Sequence, residues 1–219
     1  MKKIAITLVI GMIASVAQAI DYASSYVFRG ATVHEGAAIQ AGMDTTVSGL
    51  DVGAWASYDV DAQDFAEVDF AIGMPLTSIG SVDLDLGLCQ YVYSAPVGGE
   101  DDTEFALNAS TSVAGVDVSA SMYVTTDGAM NDYNIVGISK SFDLTPSIAA
   151  SVGYEYAEQE VADEFGEAYS SVSISAETAL TDDLGIGVTY VSLTEGEGVY
   201  NTVNDQDDFF VVSISGDLF

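Results

Sequence analysis

Basic residues are nearly missing from this chain: 219 residues carry 4 Lys and Arg against 34 Asp and Glu, a formal net charge of −30. Nucleic acid is thereby excluded as a partner, because binding it requires Lys and Arg to displace counterions from phosphates. Lys2 and Lys3 stand at the start, which leaves Arg29 and Lys140 as the only bases further along. Cysteine occurs once, at Cys89, so no intramolecular disulfide is possible. A reactive thiol needs neighbouring positive charge, and Asp83 and Asp85 supply the opposite, so Cys89 is read as a small strand residue. Histidine also occurs once, at His34 beside Glu35, in what the sequence suggests is an external loop, and it is expected to be plain surface. The chain has no phosphate loop, dinucleotide fingerprint or Cys/His metal spacing. Neither an enzyme nor a cofactor is expected. Past the first residues there is no run of the roughly 20 apolar residues that a spanning helix needs.

What is present at the start is a targeting pattern. Lys2 and Lys3 form a positive region, Ile4 to Ala14 an apolar one, and Ala17-Gln18-Ala19 a small-residue cleavage site. Residues 1–19 are expected to be a signal peptide, and residues 20–219 a single exported domain.

Hydrophobic residues make up 49% of the chain, yet they are dispersed in strict alternation. Val82, Leu84, Leu86 and Leu88 share one face of an extended segment, while Asp83, Asp85 and Gly87 share the other. The pattern recurs at Val116, Val118, Ala120, Met122 and Val124, and again at Leu50, Val52, Ala54, Ala56, Tyr58 and Val60. About twelve strands follow, near 20–30, 36–47, 50–60, 65–74, 81–94, 103–113, 116–126, 132–142, 147–157, 168–180, 184–194 and 208–219. Most are long enough to cross a membrane at a tilt.

The connections sort by end. Short ones fall at Ser48-Gly49, Pro75 to Gly80, Ala114-Gly115, Asp143 to Pro146, and Thr181 to Asp183. Mostly longer, acidic ones fall between them, at Ala31 to Glu35, Asp61 to Asp64, Ala95 to Asp102, Asp127 to Asn131, Glu158 to Glu167, and Glu195 to Asp207. Short turns on one rim and long loops on the other are the signature of an outer-membrane barrel, whereas a soluble sandwich has no reason to sort its loops. Closure also removes the unpaired sheet edges that lipid would not tolerate. The fold class expected is therefore all-β, an antiparallel up-and-down transmembrane β-barrel. Tyr22, Tyr58, Tyr93, Tyr154, Tyr156 and Tyr190 lie near strand ends, where aromatic girdles sit. The chain ends on Phe219, an aromatic terminus of the kind by which outer-membrane proteins are recognised, although it is out of phase with Phe210, Val212 and Ile214.

The segment Ser24-Ser25-Tyr26-Val27-Phe28-Arg29-Gly30 resembles the opening motif of the TorF-type porin family of Gram-negative bacteria, with Ser25 where that family has Asn or Asp. Weaker similarities follow in order at Gly53-Ala54-Trp55-Ala56-Ser57, Glu67-Val68-Asp69-Phe70, Leu86-Gly87-Leu88 with Tyr91 and Tyr93, and Val136-Gly137-Ile138-Ser139-Lys140. The resemblance covers most of the mature chain and implies a porin-like outer-membrane barrel. It supplies no substrate.

Phase then assigns the lumen. Within the expected first strand Tyr22, Tyr26 and Phe28 share a face, which puts Arg29 on the other. Ala66, Val68, Phe70 and Ile72 look outward, leaving Glu67 and Asp69 inward. Arg29 is expected to pair with Glu67 or Asp69, or to line a constriction, because an inward Arg without a carboxylate is costly. Asp59, Asp83, Asp85, Glu104, Asp117, Glu155 and Glu177 are inward by the same phase, and Tyr91 and Tyr93 join them in the expected pore lining. Such acidity should attract cations and repel anions. The run Asn204-Asp205-Gln206-Asp207-Asp208 and the cluster Glu100-Asp101-Asp102 offer oxygen ligands, but neither has calcium-loop spacing, and no metal site is expected.

The function expected is a porin-like channel in the cell outer membrane for inorganic cations or small polar solutes, with lipid as its surrounding partner. A non-conducting barrel with a structural or adhesive role, and a soluble exported β-sandwich, are the competing readings.

Overall fold

The computed structural model describes residues 17–34, 36–94, 101–126, 132–161, 164–181, 184–195 and 208–217. Every regular element among them is a strand. In chain order they are β1 (Ala17–Ala23), β2 (Tyr26–Phe28), β3 (Ala31–His34), β4 (Ala38–Val47), β5 (Leu50–Asp59) and β6 (Asp64–Ile79). Then come β7 (Val82–Tyr93), β8 (Asp102–Val113), β9 (Val116–Thr125), β10 (Tyr133–Thr145), β11 (Ile148–Val161), β12 (Glu164–Ala179), β13 (Leu184–Glu195) and β14 (Phe209–Asp217).

Twelve of them close into one antiparallel barrel. Neighbours in the wall are neighbours in sequence, with two exceptions. β1 closes the tube against β14, with Ile20 opposite Ile214, and pairs on its other side with β4 rather than β2. β2 and β3 pair only with each other.

The alternation seen in the sequence becomes two faces of the wall. Val136, Ile138, Phe142 and Leu144 of β10 are exposed on the outside, as are Phe70, Ile72 and Met74 of β6 and Val172 and Ile174 of β12. A soluble protein would not leave so many large apolar side chains uncovered, and lipid is what covers them. The tube is an outer-membrane barrel. Tyr22, Tyr154 and Tyr190 lie on this outer face. Tyr93 does not: it faces inward, opposite Glu67.

Ser48-Gly49 and Ala114-Gly115 are two-residue turns with positive φ at both positions, 54° and 82° in the first and 54° and 74° in the second. This backbone twist matches that of the strands it joins. Three other connections differ from expectation. Pro75, expected in a turn, lies inside β6, at a register shift where Pro75 pairs with Asp85 and Thr77 with Leu84. A bulge tolerates the missing amide hydrogen of proline. β10 likewise continues past Asp143 to Thr145 through a bulge. Residues 158–167, expected as a loop, belong largely to β11 and β12, with Glu160 opposite Phe165. Beyond the lipid both faces of a strand meet water, so its acidic composition mimicked a loop.

The largest difference lies at the beginning. The expected first strand over 20–30 ends at Ala23, and the chain then leaves the wall.

Candidate functional site

β2 and β3 form a hairpin inside the tube. Its turn, Arg29-Gly30, has φ of 48° and 74°, the same form as the wall turns Ser48-Gly49 and Ala114-Gly115. Each strand carries residues suited to extended structure, Tyr26, Val27 and Phe28 on one side and Thr32 and Val33 on the other. Where the wall hairpins pack against lipid, this one packs against the inner face of β5 to β8 and points its tip at β12.

At the foot of the hairpin Tyr26 is 4% exposed. Its ring lies 5.6 Å from that of Trp55 on β5 and 5.7 Å, edge-on, from that of His34. Its hydroxyl donates to Glu67 Oε2 on β6 at 2.5 Å. Further along, Phe28 meets Tyr91 of β7 edge-on at 5.8 Å. At the tip the Arg29 guanidinium forms a fork with Glu104 of β8, Nη1 to Oε2 at 2.6 Å and Nη2 to Oε1 at 2.7 Å. Tyr91 donates to the same Glu104 Oε1 at 3.0 Å. The Arg29 guanidinium carbon lies over the Tyr123 ring, 4.0 Å from its centroid, and over that of Tyr133 at 4.9 Å. Paired planar bonds and stacking are what the guanidinium provides and an ammonium does not. Gly30 closes the contact, since a Cβ there would lie 2.5 Å from Cγ of Tyr169. Tyr169 in turn donates to Glu155 at 2.6 Å.

The hairpin therefore splits the interior into unlike halves. The β5 to β8 half is filled by aromatic rings and carboxylates. On the other side a cavity of about 510 Å³ remains, bounded by Arg29, Gly30 and Tyr169 and lined on the wall by small residues such as Ser119, Gly137 and Ser173. A second cavity of about 640 Å³ lies nearer the short-turn rim on β10 to β14, lined by Ser175, Glu177, Gly187 and Ser213 among others. Ser171 and Ser173 of β12 face the first cavity, and Ser175 and Glu177, the next inward positions, face the second. Side chains this short leave space that larger ones would occupy.

The structure brings the expected lining residues together in groups. Glu104 and Tyr91 hold Arg29, and Glu67, Asp69 and Tyr93 sit around Tyr26 on β6 and β7. Asp117 and Glu155 border the first cavity, and Glu177 the second. Asp85 accepts from Asn108 at 2.7 Å, and Asp83 from Ser78 at 2.5 Å near the short turns. Asp59 ends β5, where its carboxylate accepts the amides of Asp61 and Ala62 at 2.8 and 3.0 Å.

Two expectations need correction. Arg29 pairs with Glu104 and with neither Glu67 nor Asp69, because it sits on a hairpin that reaches past β6 and not on the wall itself. His34 is not on the surface: its side chain is 13% exposed, and Nδ1 lies 3.8 Å from Asp59 Oδ2. Asn204 to Asp207, Glu100 and Phe219 lie outside the described residues, as does Glu35. Tyr123, Tyr133 and Tyr169 were not expected in the site, and Trp55 and Ser57 stood out only within the family resemblance. Their signal was their phase, opposite to the lipid-facing residues of their own strands.

A closed twelve-stranded tube with an apolar outer band defines an outer-membrane β-barrel, here with an inward insert. Residues 13–215 match the family described as a bacterial protein of unknown function, Gcw_chp, and the chain belongs to that family. No curated protein shows significant sequence similarity to it. Among solved structures, the KdgM porin in complex with disordered oligogalacturonate is similar with a TM-score of 0.60 at 6% identity, over 94% of this chain and 100% of that one. The NanC porin is similar at 0.59 and 9% identity, over 94% of this chain and 100% of its own. An outer membrane channel from Pseudomonas putida F1 gives 0.58 at 9% identity, over 92% and 94% of the two chains. Identities this low speak for the fold alone.

Proposed function

We propose that the protein is a porin-like channel of the TorF type that passes cations or small polar solutes across the outer membrane, with an acidic lumen narrowed by the β2–β3 hairpin. The observation that carries this reading is the pair of cavities on the β9 to β14 side, where serine and glycine leave room and Asp117, Glu155 and Glu177 supply negative charge. Arg29 does not offset that charge, since Glu104 already occupies both ends of its guanidinium. A lumen of net negative potential concentrates cations and repels anions. A polyanion such as the oligogalacturonate in the KdgM complex is accordingly a poor solute for this chain. Arg29, Asp117, Glu155 and Glu177 are the proposed lining of the open side, and Asp59, Glu67, Asp69, Asp83, Asp85, Tyr91, Tyr93 and Glu104 the proposed inner wall on the side that the hairpin narrows. Residues 1–19 are proposed to be removed on export, and no catalytic step forms part of the reading.

Purified protein in planar bilayers tests it. Discrete conductance steps with a reversal potential favouring potassium over chloride are expected, and a reversal potential favouring chloride overturns the proposal. A second reading, a closed barrel with a structural or adhesive role, draws on how fully the hairpin fills the β5 to β8 half. Silent bilayers at high protein load would favour it.

A further inference from the structure

Behind the hairpin, the β5–β6 wall holds two buried carboxyl groups, Glu67 and Asp69, with no Lys or Arg to meet them. Glu67 is 2% exposed, and Tyr26 satisfies only its Oε2. Its other oxygen, Oε1, is buried without a hydrogen-bond partner, and so is Oδ1 of Asp69, the next inward position on β6. Directly across the strand pair from Glu67 lies Ser57, which is 0% exposed and whose Oγ is also without a partner. Three unsatisfied oxygens thus occupy adjacent inward positions of two paired strands. Burying a carboxylate ionised and uncompensated is among the most costly things a fold can do, so this pair calls for a cation or a shared proton. Arg29 is committed to Glu104, and Lys140, the other base past the start of the chain, is in phase with the lipid-facing Ile138 and Phe142.

We propose that Glu67, Asp69 and Ser57 form a binding site for a divalent cation between the β5–β6 wall and the foot of the hairpin. Two carboxylates and a hydroxyl are hard oxygen donors of the kind calcium takes, and a charge of +2 neutralises the pair. Among the described residues no three His, Cys, Asp or Glu side chains gather in ligating geometry, so an ion bound here would take its remaining ligands from water. A bound ion would also brace the hairpin, because Tyr26 shares Glu67 with it.

Trp55 is the only tryptophan and pairs with Asp69 across β5 and β6, so it can sensitise terbium luminescence at the site. The test uses full-length protein in detergent, stripped with chelator, titrated with terbium and then competed with calcium. One saturable ion per chain, displaced by calcium, is expected. Glu67→Gln and Asp69→Asn should each weaken it by about tenfold, since ligand charge sets affinity in oxygen sites. Asp44→Asn, on β4 and outside both the site and the proposed lining, should leave it unchanged. Folding is checked by heat-modifiable migration, and if Glu67→Gln does not fold, Asp69→Asn and Ser57→Ala carry the comparison. A wild type without a saturable signal overturns the proposal and points to a shared proton instead. Equal weakening by Asp44→Asn overturns it as well. The experiment needs no conduction, so its failure leaves the channel reading standing.

Discussion

Arg29 and Glu104 lie 75 residues apart in sequence and meet as a two-point fork of 2.6 and 2.7 Å in the middle of the tube. With side-chain exposures of 7% and 2%, neither is left to water. Removing one partner from such a pair leaves a buried charge alone, at a cost of about 3–5 kcal/mol. Arg29→Ala is expected to lower unfolding stability by that order, read from Trp55 fluorescence in urea. It should also free the hairpin tip and raise single-channel conductance. Unchanged stability and conductance together would show that the fork does not anchor the hairpin.

Gly30 tests the same contact from its other side. Its φ of +74° disfavours an L side chain by about 1–2 kcal/mol, and a Cβ would sit 2.5 Å from the Tyr169 ring. Gly30→Ala should therefore lower the thermal midpoint. Adding Tyr169→Ala relieves the clash but not the backbone, so the double variant should recover only part of the loss. Full additivity of the two changes would place the ring elsewhere.

Selectivity should follow the free carboxylates and not the acid count. Asp117 and Glu155 border the open cavity, whereas Glu104 is already neutralised by Arg29. Asp117→Asn with Glu155→Gln should move the reversal potential toward zero. Glu104→Gln should move it further toward anions per charge removed, because it exposes a cation. Equal shifts per charge in both variants would contradict the assignment.

Asp208 stands just before β14, and the Tyr190 hydroxyl, then Ser192 and the Leu193 amide, hold its carboxyl below the usual aspartate range. A group whose folded pKa is depressed adds stability above its unfolded value and loses it as pH falls through the folded one. The thermal midpoint of Tyr190→Phe should thus lie slightly below wild type at neutral pH, and the gap should close in acid below the depressed value. A gap that widens in acid reverses the sign and excludes the linkage. Because the group is exposed, the effect is small.

Cleavage after Ala19 should give a mature chain beginning at Ile20, which intact mass measures directly. β1 would then keep Ile20 to Ala23, still opposite Ile214 to Val211 on one side and Ala41 to Ala38 on the other. A mass that includes Ala17 to Ala19 would place the cut earlier.

The wall was legible because its physics is periodic: Val82, Leu84, Leu86 and Leu88 alternate with Asp83 and Asp85, and Ser48-Gly49 and Ala114-Gly115 are turns by composition as well as by backbone. The hairpin was hidden by the same rule. Tyr26 to Phe28 and Ala31 to His34 have the pattern of wall strands, and nothing local says which hairpin leaves the wall. Arg29-Gly30 was the available sign, since it repeats the residue-plus-glycine turn of the two wall hairpins. The inward phase of Glu67 and Glu104 could be assigned, but not which of them Arg29 would meet. That choice depends on register, which the bulges at Ser57/Tyr58 and Pro75/Thr77 shift by single residues.

Because β1 pairs straight to β4, the circumference is complete without residues 24–37. Aperture and container are therefore separable parts. Lengthening, shortening or exchanging that one inserted segment would change how much of the interior is filled while every ladder of the tube stayed in place.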